Sequence, residues 1–278
     1  MAVTIVEALL LGLLQGLTEF LPISSSAHLR MAGPFLSGGD PGAAFTAVVQ
    51  IGTEAAVLLY FRKDIWRIAT AWLGAFAGRA SQNEEQRADT RMGWLIIIGT
   101  LPIAILGVLL KDSIETNLRS LYITATMLIG FGLLLGLADR IGAKRIPLSK
   151  LSWRDGLIFG FAQAMALVPG VSRSGGTITA GLLLGYTREA AARYSFLLAI
   201  PAVLASGFYQ LLRYWSEFTA DLALPTLVAT LTAFVSGYGV IMVFLRLVSS
   251  HGYGVFVVYR VALGLLLLGL LAQGVITA

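Results

Sequence analysis

Long apolar runs dominate this chain, and their lengths predict what they form. Four stretches carry no charged residue over 19 positions or more: 92–110, 120–138, 194–212 and 222–245. About 20 apolar residues in a helix cross a ~30 Å hydrocarbon core. Two more stretches, 41–61 and 254–275, are nearly as apolar. The pattern predicts six membrane-spanning helices. It does not alternate with period two, which excludes a β-barrel.

Two further segments fit no simple span. Residues 156–187 hold one charge, Arg173, and have Pro169-Gly170 near the middle. They are long for one crossing, short for two at ~20 residues each, and proline breaks a helix. A re-entrant helical hairpin satisfies all of this. Residues 1–39 read the same way, with Pro22 at the break. Irregular backbone at membrane depth is tolerated where it is buried in protein or lines a cavity.

Composition sharpens the class. The 278 residues are 57% hydrophobic and 13% charged, against about 25% charged in a soluble domain. The formal charge of +5 suits interfacial Lys and Arg rather than nucleic-acid binding. Cysteine is absent, so no disulfide or thiolate metal site exists. The first helix lacks a basic leader and a cleavage site, so it does not read as a removable signal peptide. Cations concentrate in 62–91 and 140–154, with Arg188, Arg193 and Arg246 later. Basic loops mark the cytoplasmic side. The first hairpin then opens to the outside, the second to the cytoplasm, and both termini lie outside. Segment 62–91 also reads as an amphipathic surface segment, with Ile65, Trp66, Ile68, Trp72 and Phe76 on its apolar face. Tyr60, Trp94, Tyr122 and Tyr214 fit an aromatic belt.

The hairpins resemble each other. Gly12, Gln15, Ser24 and Ser26 recur as Gly160, Gln163, Ser172 and Ser174, each 148 residues on. The chain therefore reads as a single integral membrane domain, 1–278, of two inverted halves near 1–140 and 150–278. Such repeats commonly build a site from broken helices near the midplane.

The broken helices carry the chemistry. The second tip reads "PGVSRSGGT" from Pro169 to Thr177. Backbone N–H groups at a helix start, an Arg fork and hydroxyls suit phosphate. An arginine at membrane depth also needs a partner, and a structural alternative is that Arg173 simply neutralises Glu19. The first tip reads "QGLTEFLPISSSAH". Gln15 and Glu19 share a helical face, as do Ser25 and His28 if the helix restarts after Pro22. A serine beside a histidine base is a usual form of activated hydroxyl, although Ser24, Ser25 and Ser26 also suit a helix cap. Glu54 lies inside a predicted span and reads as a group behind the site. Arg260 reads as an acid's partner or an anchor, and His251 falls in a cytoplasmic turn.

These motifs resemble the signature segments of the undecaprenyl-pyrophosphate phosphatases, the bacitracin-resistance family. "FLLAIPAV" at 196–203 and "YRVALG" at 259–264 extend the resemblance over nearly the whole chain. It implies an all-α polytopic membrane protein with six transmembrane helices and two re-entrant hairpins in an inverted-topology repeat. It implies hydrolysis of a C55 diphosphate carrier for cell-wall synthesis in the bacterial plasma membrane, with a divalent cation, Mg²⁺ or Ca²⁺, on Glu19. Gln15 stands where many members carry a second glutamate, a departure that bears on any mechanism needing two carboxylates on one metal ion.

On this reading Ser25 attacks phosphorus, His28 is the base, Glu19 orients it and Arg173 holds the charge. Gln15, Ser24, Ser26, Ser172, Ser174, Gly175 and Thr177 bind the substrate. His28 as nucleophile, with Ser25 binding, stays open. The expected partners are the polyprenyl diphosphate, membrane lipids and a second copy as a homodimer, with no nucleic acid. The site is expected to open to the extracytoplasmic side. A polyprenyl-phosphate transporter or flippase is the competing reading.

Overall fold

The computed structural model describes residues 3–37, 39, 42–78, 83–213 and 220–276. Tyr214, Arg79 and both chain termini, for which expectations are stated above, lie outside the described residues. The described chain is helical throughout, apart from one bridge between Ile146 and Tyr186.

The first hairpin is α1 (Ile5–Glu19) and α2 (Ser25–Ala32). Thr4 and Glu7 form a capping box that starts α1. The second carboxylate oxygen of Glu7 takes the Ser37 N–H and hydroxyl, tying down the chain after α2. Helix α3 (Gly42–Tyr60) follows, then α4 (Arg62–Phe76) and α5 (Glu84–Leu109). Short α6 (Lys111–Glu115) leads into α7 (Leu121–Ile141). The second hairpin is α8 (Trp153–Ala164) and α9 (Arg173–Leu183). Helices α10 (Arg188–Arg213), α11 (Ala220–Ser250) and α12 (Gly254–Ala272) complete the chain.

Five helices, α5, α7, α10, α11 and α12, are long and apolar enough to cross a membrane. The predicted span 41–61 appears as α3, whose apolar part, Phe45–Tyr60, is shorter than the other five. Large apolar side chains face outward along them, among them Leu101, Val108, Leu137, Val235 and Val258. A water-soluble fold does not leave so much apolar surface uncovered. The chain is a multi-pass membrane protein.

Segment 62–91, expected as an amphipathic surface segment, divides into α4 and the start of α5. Trp66, Leu73 and Phe76 are exposed as expected. Ile68 instead points into the core, and Trp72 packs on Gly93 of α5 and on Trp94. Ion pairs Arg193–Asp64 and Arg188–Asp139, at 2.9 and 2.6 Å, hold this end of the bundle.

The hairpins are wedged between long helices by small residues. A side chain on Gly12 would run into the Ala229 carbonyl of α11, and one on Gly160 into the Gly99 carbonyl of α5. Helix α1 thus packs on α11, and α8 on α5. Beneath the first tip lies an aromatic core of Phe20, Phe61, Phe196, Phe244 and Tyr253.

Candidate active site

Both hairpin tips break for the reasons their sequences suggest. Helix α1 stops just before Pro22, and the backbone runs irregularly to Ser24. The second break carries Pro169 and Gly170, the latter at φ +94 with the Thr124 carbonyl where a side chain would be. Each restarted helix is preceded by a serine of positive φ, Ser24 at 72° and Ser172 at 70°. Such backbone costs about 1–3 kcal/mol and persists only where its surroundings hold it.

Much of that hold comes from Arg260, a fully buried residue of α12. Its guanidinium donates to the Pro22 carbonyl of the first tip at 2.9 Å, and to Gly170 and Val171 of the second at 2.9 and 3.1 Å. It also donates to Leu128 and Met127 of α7 at 3.1 and 3.2 Å. Among the described residues it pairs with no acid, so of the two roles expected for it the anchor is realised. The Ser174 hydroxyl adds a direct bond between tips, donating to the Leu21 carbonyl at 3.0 Å.

The joined tips bring Glu19 and Arg173 together, 154 residues apart in sequence, at 2.7 Å. Glu19 is the hub. Its Oε1 takes the Arg173 guanidinium, and its Oε2 takes the Ser25 hydroxyl at 2.6 Å and the Gln15 amide at 3.0 Å. Glu54 of α3 approaches the same guanidinium, 3.7 Å away. Among the described residues no cluster of three or more His, Asp or Glu could hold a metal ion.

The three-residue spacing of Ser25 and His28 does not produce a Ser–His pair. The Ser25 hydroxyl is engaged by Glu19. His28 Nδ1 lies 2.7 Å from the Ser24 carbonyl, so that nitrogen carries the proton. Its Nε2 then accepts from the Tyr259 hydroxyl at 2.6 Å, and the two rings lie nearly parallel. The two side chains share a helix, but tertiary partners have claimed both.

The remaining predicted binders divide. Ser26 is exposed, 3.2 Å from the Ser24 hydroxyl. Ser172 and Ser174 repeat that contact at 3.2 Å, and Ser172 caps α9 by accepting the Gly175 N–H. Ser24 makes no such cap. Gly175 is packed against Arg260 and Ser172. Thr177 turns away, bonding Ser195 of α10 at 2.6 Å, and so supports the tip from behind. Gln163, the counterpart of Gln15, is fully buried with no partner for its amide. An apolar cleft of about 260 Å³ lies against Leu21, lined otherwise by α11 and α12 residues such as Val240, Phe244 and Phe256.

Residues 8–266 match the model of the bacitracin resistance protein BacA. The chain belongs to the BacA family. Its similarity to members runs end to end. It is 66% identical over 273 residues to "Undecaprenyl-diphosphatase 2" of Agrobacterium fabrum, covering 98% of this chain and 97% of the relative. It is 60% identical over 276 residues to "Undecaprenyl-diphosphatase" of Pseudarthrobacter chlorophenolicus, covering 98% and 99%. The Micrococcus luteus protein of that name is 58% identical over 281 residues, covering 99% and 100%.

Tyr259 and the reach of Glu54 escaped the sequence reading. The signals were present in part: an unpaired arginine preceded by tyrosine in an apolar span, and a lone acid in another. Which groups they meet is a matter of helix packing.

Proposed function

We propose that this BacA family member hydrolyses undecaprenyl diphosphate to undecaprenyl phosphate and inorganic phosphate. The reaction recycles the lipid carrier of peptidoglycan synthesis and confers bacitracin resistance. The carrying observation is the Ser25–Glu19–Arg173 chain, with bonds of 2.6 and 2.7 Å, at the meeting point of two hairpin tips. Full-length identity to proteins named for this activity supports it.

Glu19 is placed to take the Ser25 proton as Oγ attacks the terminal phosphorus. The bond from that phosphorus to the bridging oxygen breaks, and undecaprenyl phosphate leaves with the electron pair and takes the proton from Glu19. The Glu19 carboxylate then deprotonates the water that cleaves the phosphoserine, and Ser25 Oγ departs with that proton as inorganic phosphate is released. This reassigns the base from His28 to Glu19. His28 instead fixes the Ser24 turn through its Nδ1–H. Arg173, freed from the acids, holds the phosphoryl oxygens together with the α9 N-terminus. A divalent cation, Mg²⁺ or Ca²⁺, fits this donor set: the Glu19 carboxylate and nearby buried carboxylate oxygens without a hydrogen-bond partner. Such an ion would supply charge neutralisation on the diphosphate. The apolar cleft at Leu21 suits the first units of the prenyl chain.

The membrane arrangement belongs to the same reading. The chain makes six spans, with α1–α2 and α8–α9 re-entrant and the halves inverted. Matching positive φ at Ser24 and Ser172, and matching hydroxyl pairs, support the repeat. Basic loops inside put the first tip and the site on the extracytoplasmic side. A flippase also suits inverted repeats, but carriage needs no hydroxyl bonded to a carboxylate.

The test is phosphate release from undecaprenyl diphosphate by the purified protein, with and without chelator. Binding and movement of the lipid with no phosphate released would favour the flippase. Impermeant labelling of a cysteine placed at position 277 tests orientation: labelling only after permeabilisation would reject it.

A further inference from the structure

Glu19 brings one carboxylate to the site from the first tip, and a second reaches it from another helix. Glu54 of α3 is 2% exposed, and neither of its oxygens has a hydrogen-bond partner. Its Oε1 lies 3.7 Å from Arg173 Nη2, the nitrogen that bonds Glu19 Oε1 at 2.7 Å. The two carboxylates thus flank one guanidinium nitrogen.

A buried carboxylate without donors is costly, and an orphaned buried polar group calls for a partner. Neighbouring donors are spent elsewhere. The Gln15 amide and the Ser25 hydroxyl go to Glu19, and the Thr53 hydroxyl goes to the Gln50 carbonyl. Charge makes the demand stronger. Two acids here share one cation, Arg173. A diphosphate arriving on Arg173 adds negative charge and draws the guanidinium away. Both acids then need another cation. The donors at hand are hard oxygens, those of two carboxylates. That is the set Mg²⁺ takes beside substrate phosphates.

We propose that Glu54 is the second carboxylate of this chain's divalent-cation site, acting with Glu19, beside which Gln15 brings an amide and no charge. The proposal rests on the diphosphatase reading for its substrate, but its test does not. Arg173 holds the two acids together in the absence of substrate, and Glu54 is a ligand contributed by α3 rather than by the hairpin.

The experiment is Mn²⁺ binding, followed by electron paramagnetic resonance, on the full-length purified protein with methylenediphosphonate present. Glu54→Gln keeps the shape and removes the charge. It should weaken Mn²⁺ binding at least tenfold. Adding Gln15→Glu to that variant should restore affinity to within threefold of wild type. Wild-type affinity in Glu54→Gln overturns the proposal, as does an absence of Mn²⁺ binding by the wild type. A loss that Gln15→Glu leaves unrepaired also overturns it, since a general packing defect behaves that way. If Glu54→Gln does not fold, Glu54→Asp keeps the charge and shortens its reach, and unchanged affinity in that variant counts equally against the proposal. Wild-type Mn²⁺ binding through Glu54 with no phosphate released from undecaprenyl diphosphate would reject the function and leave the site standing. Phosphate release with an unchanged Glu54→Gln titration would do the reverse.

Discussion

Replacing Arg260 by lysine asks whether one side chain holds the two hairpin tips in register. The charge and the cost of burying it stay, so the change isolates geometry. The carbonyls of Pro22, Gly170 and Val171 take hydrogen bonds from Arg260, and among the described residues from no other donor. A lysine offers donors from one atom and cannot span both tips and α7 as the planar fork does. At least two of the three tip carbonyls should lose their partner. Orphaned buried groups cost about 1–3 kcal/mol each, which puts the loss near 2–6 kcal/mol. If each bond is worth only the ~0.6 kcal/mol typical inside membranes, the loss is nearer 1 kcal/mol. Catalysis should suffer more than stability. The tips carry Ser25 and Arg173, both bonded to Glu19 and both assigned to the substrate phosphate in the proposed reaction, and a 1 Å misplacement can cost about 10²-fold. The assay pairs thermal unfolding in detergent with phosphate release from undecaprenyl diphosphate. Expected is a folded protein with kcat down about 10²-fold. A variant that melts like wild type and turns over within threefold of it would refute the stapling argument.

Ser25→Ala should lower phosphate release by at least 10²-fold, the low end for losing base-assisted attack, while lipid diphosphate binding persists. Turnover within tenfold of wild type would move the nucleophile to water or His28. Tyr259→Phe removes the donor to His28 Nε2 but leaves Ser25 on Glu19, so kcat should fall less than tenfold. A loss as deep as that of Ser25→Ala would put the His28–Tyr259 pair into the chemistry. Arg173→Lys keeps charge but not the fork, so most activity should go while the protein still folds, and near-normal kcat would favour a purely structural Glu19–Arg173 pair. Gly160→Val forces a side chain into the Gly99 backbone and should destabilise by about 1–3 kcal/mol. An unchanged melting temperature would mean that α8 does not need its close approach to α5.

Sequence alone determined the features that depend on local runs. Charge-free stretches of about 20 residues specify spanning helices because lipid offers the backbone no other partner. Pro22 and Pro169-Gly170 specify the two breaks because proline cannot donate and blocks the preceding turn. The 148-residue recurrence of Gly12, Gln15, Ser24 and Ser26 was legible, as were Glu19, Ser25 and Arg173 as candidates, which the structure brings into one bonded chain. Partnership was not legible. Helical spacing puts Ser25 beside His28, yet spacing states only which side chains share a face, not what faces them. The packed structure turns Ser25 to Glu19 and His28 to the Ser24 carbonyl and Tyr259. It likewise sends Thr177 to Ser195, Arg260 to both tips, and Glu54 from α3 to within 3.7 Å of Arg173. A buried polar group must be satisfied by whatever lies nearest in space, and in a bundle whose hairpins are wedged between distant helices those neighbours come from far along the chain.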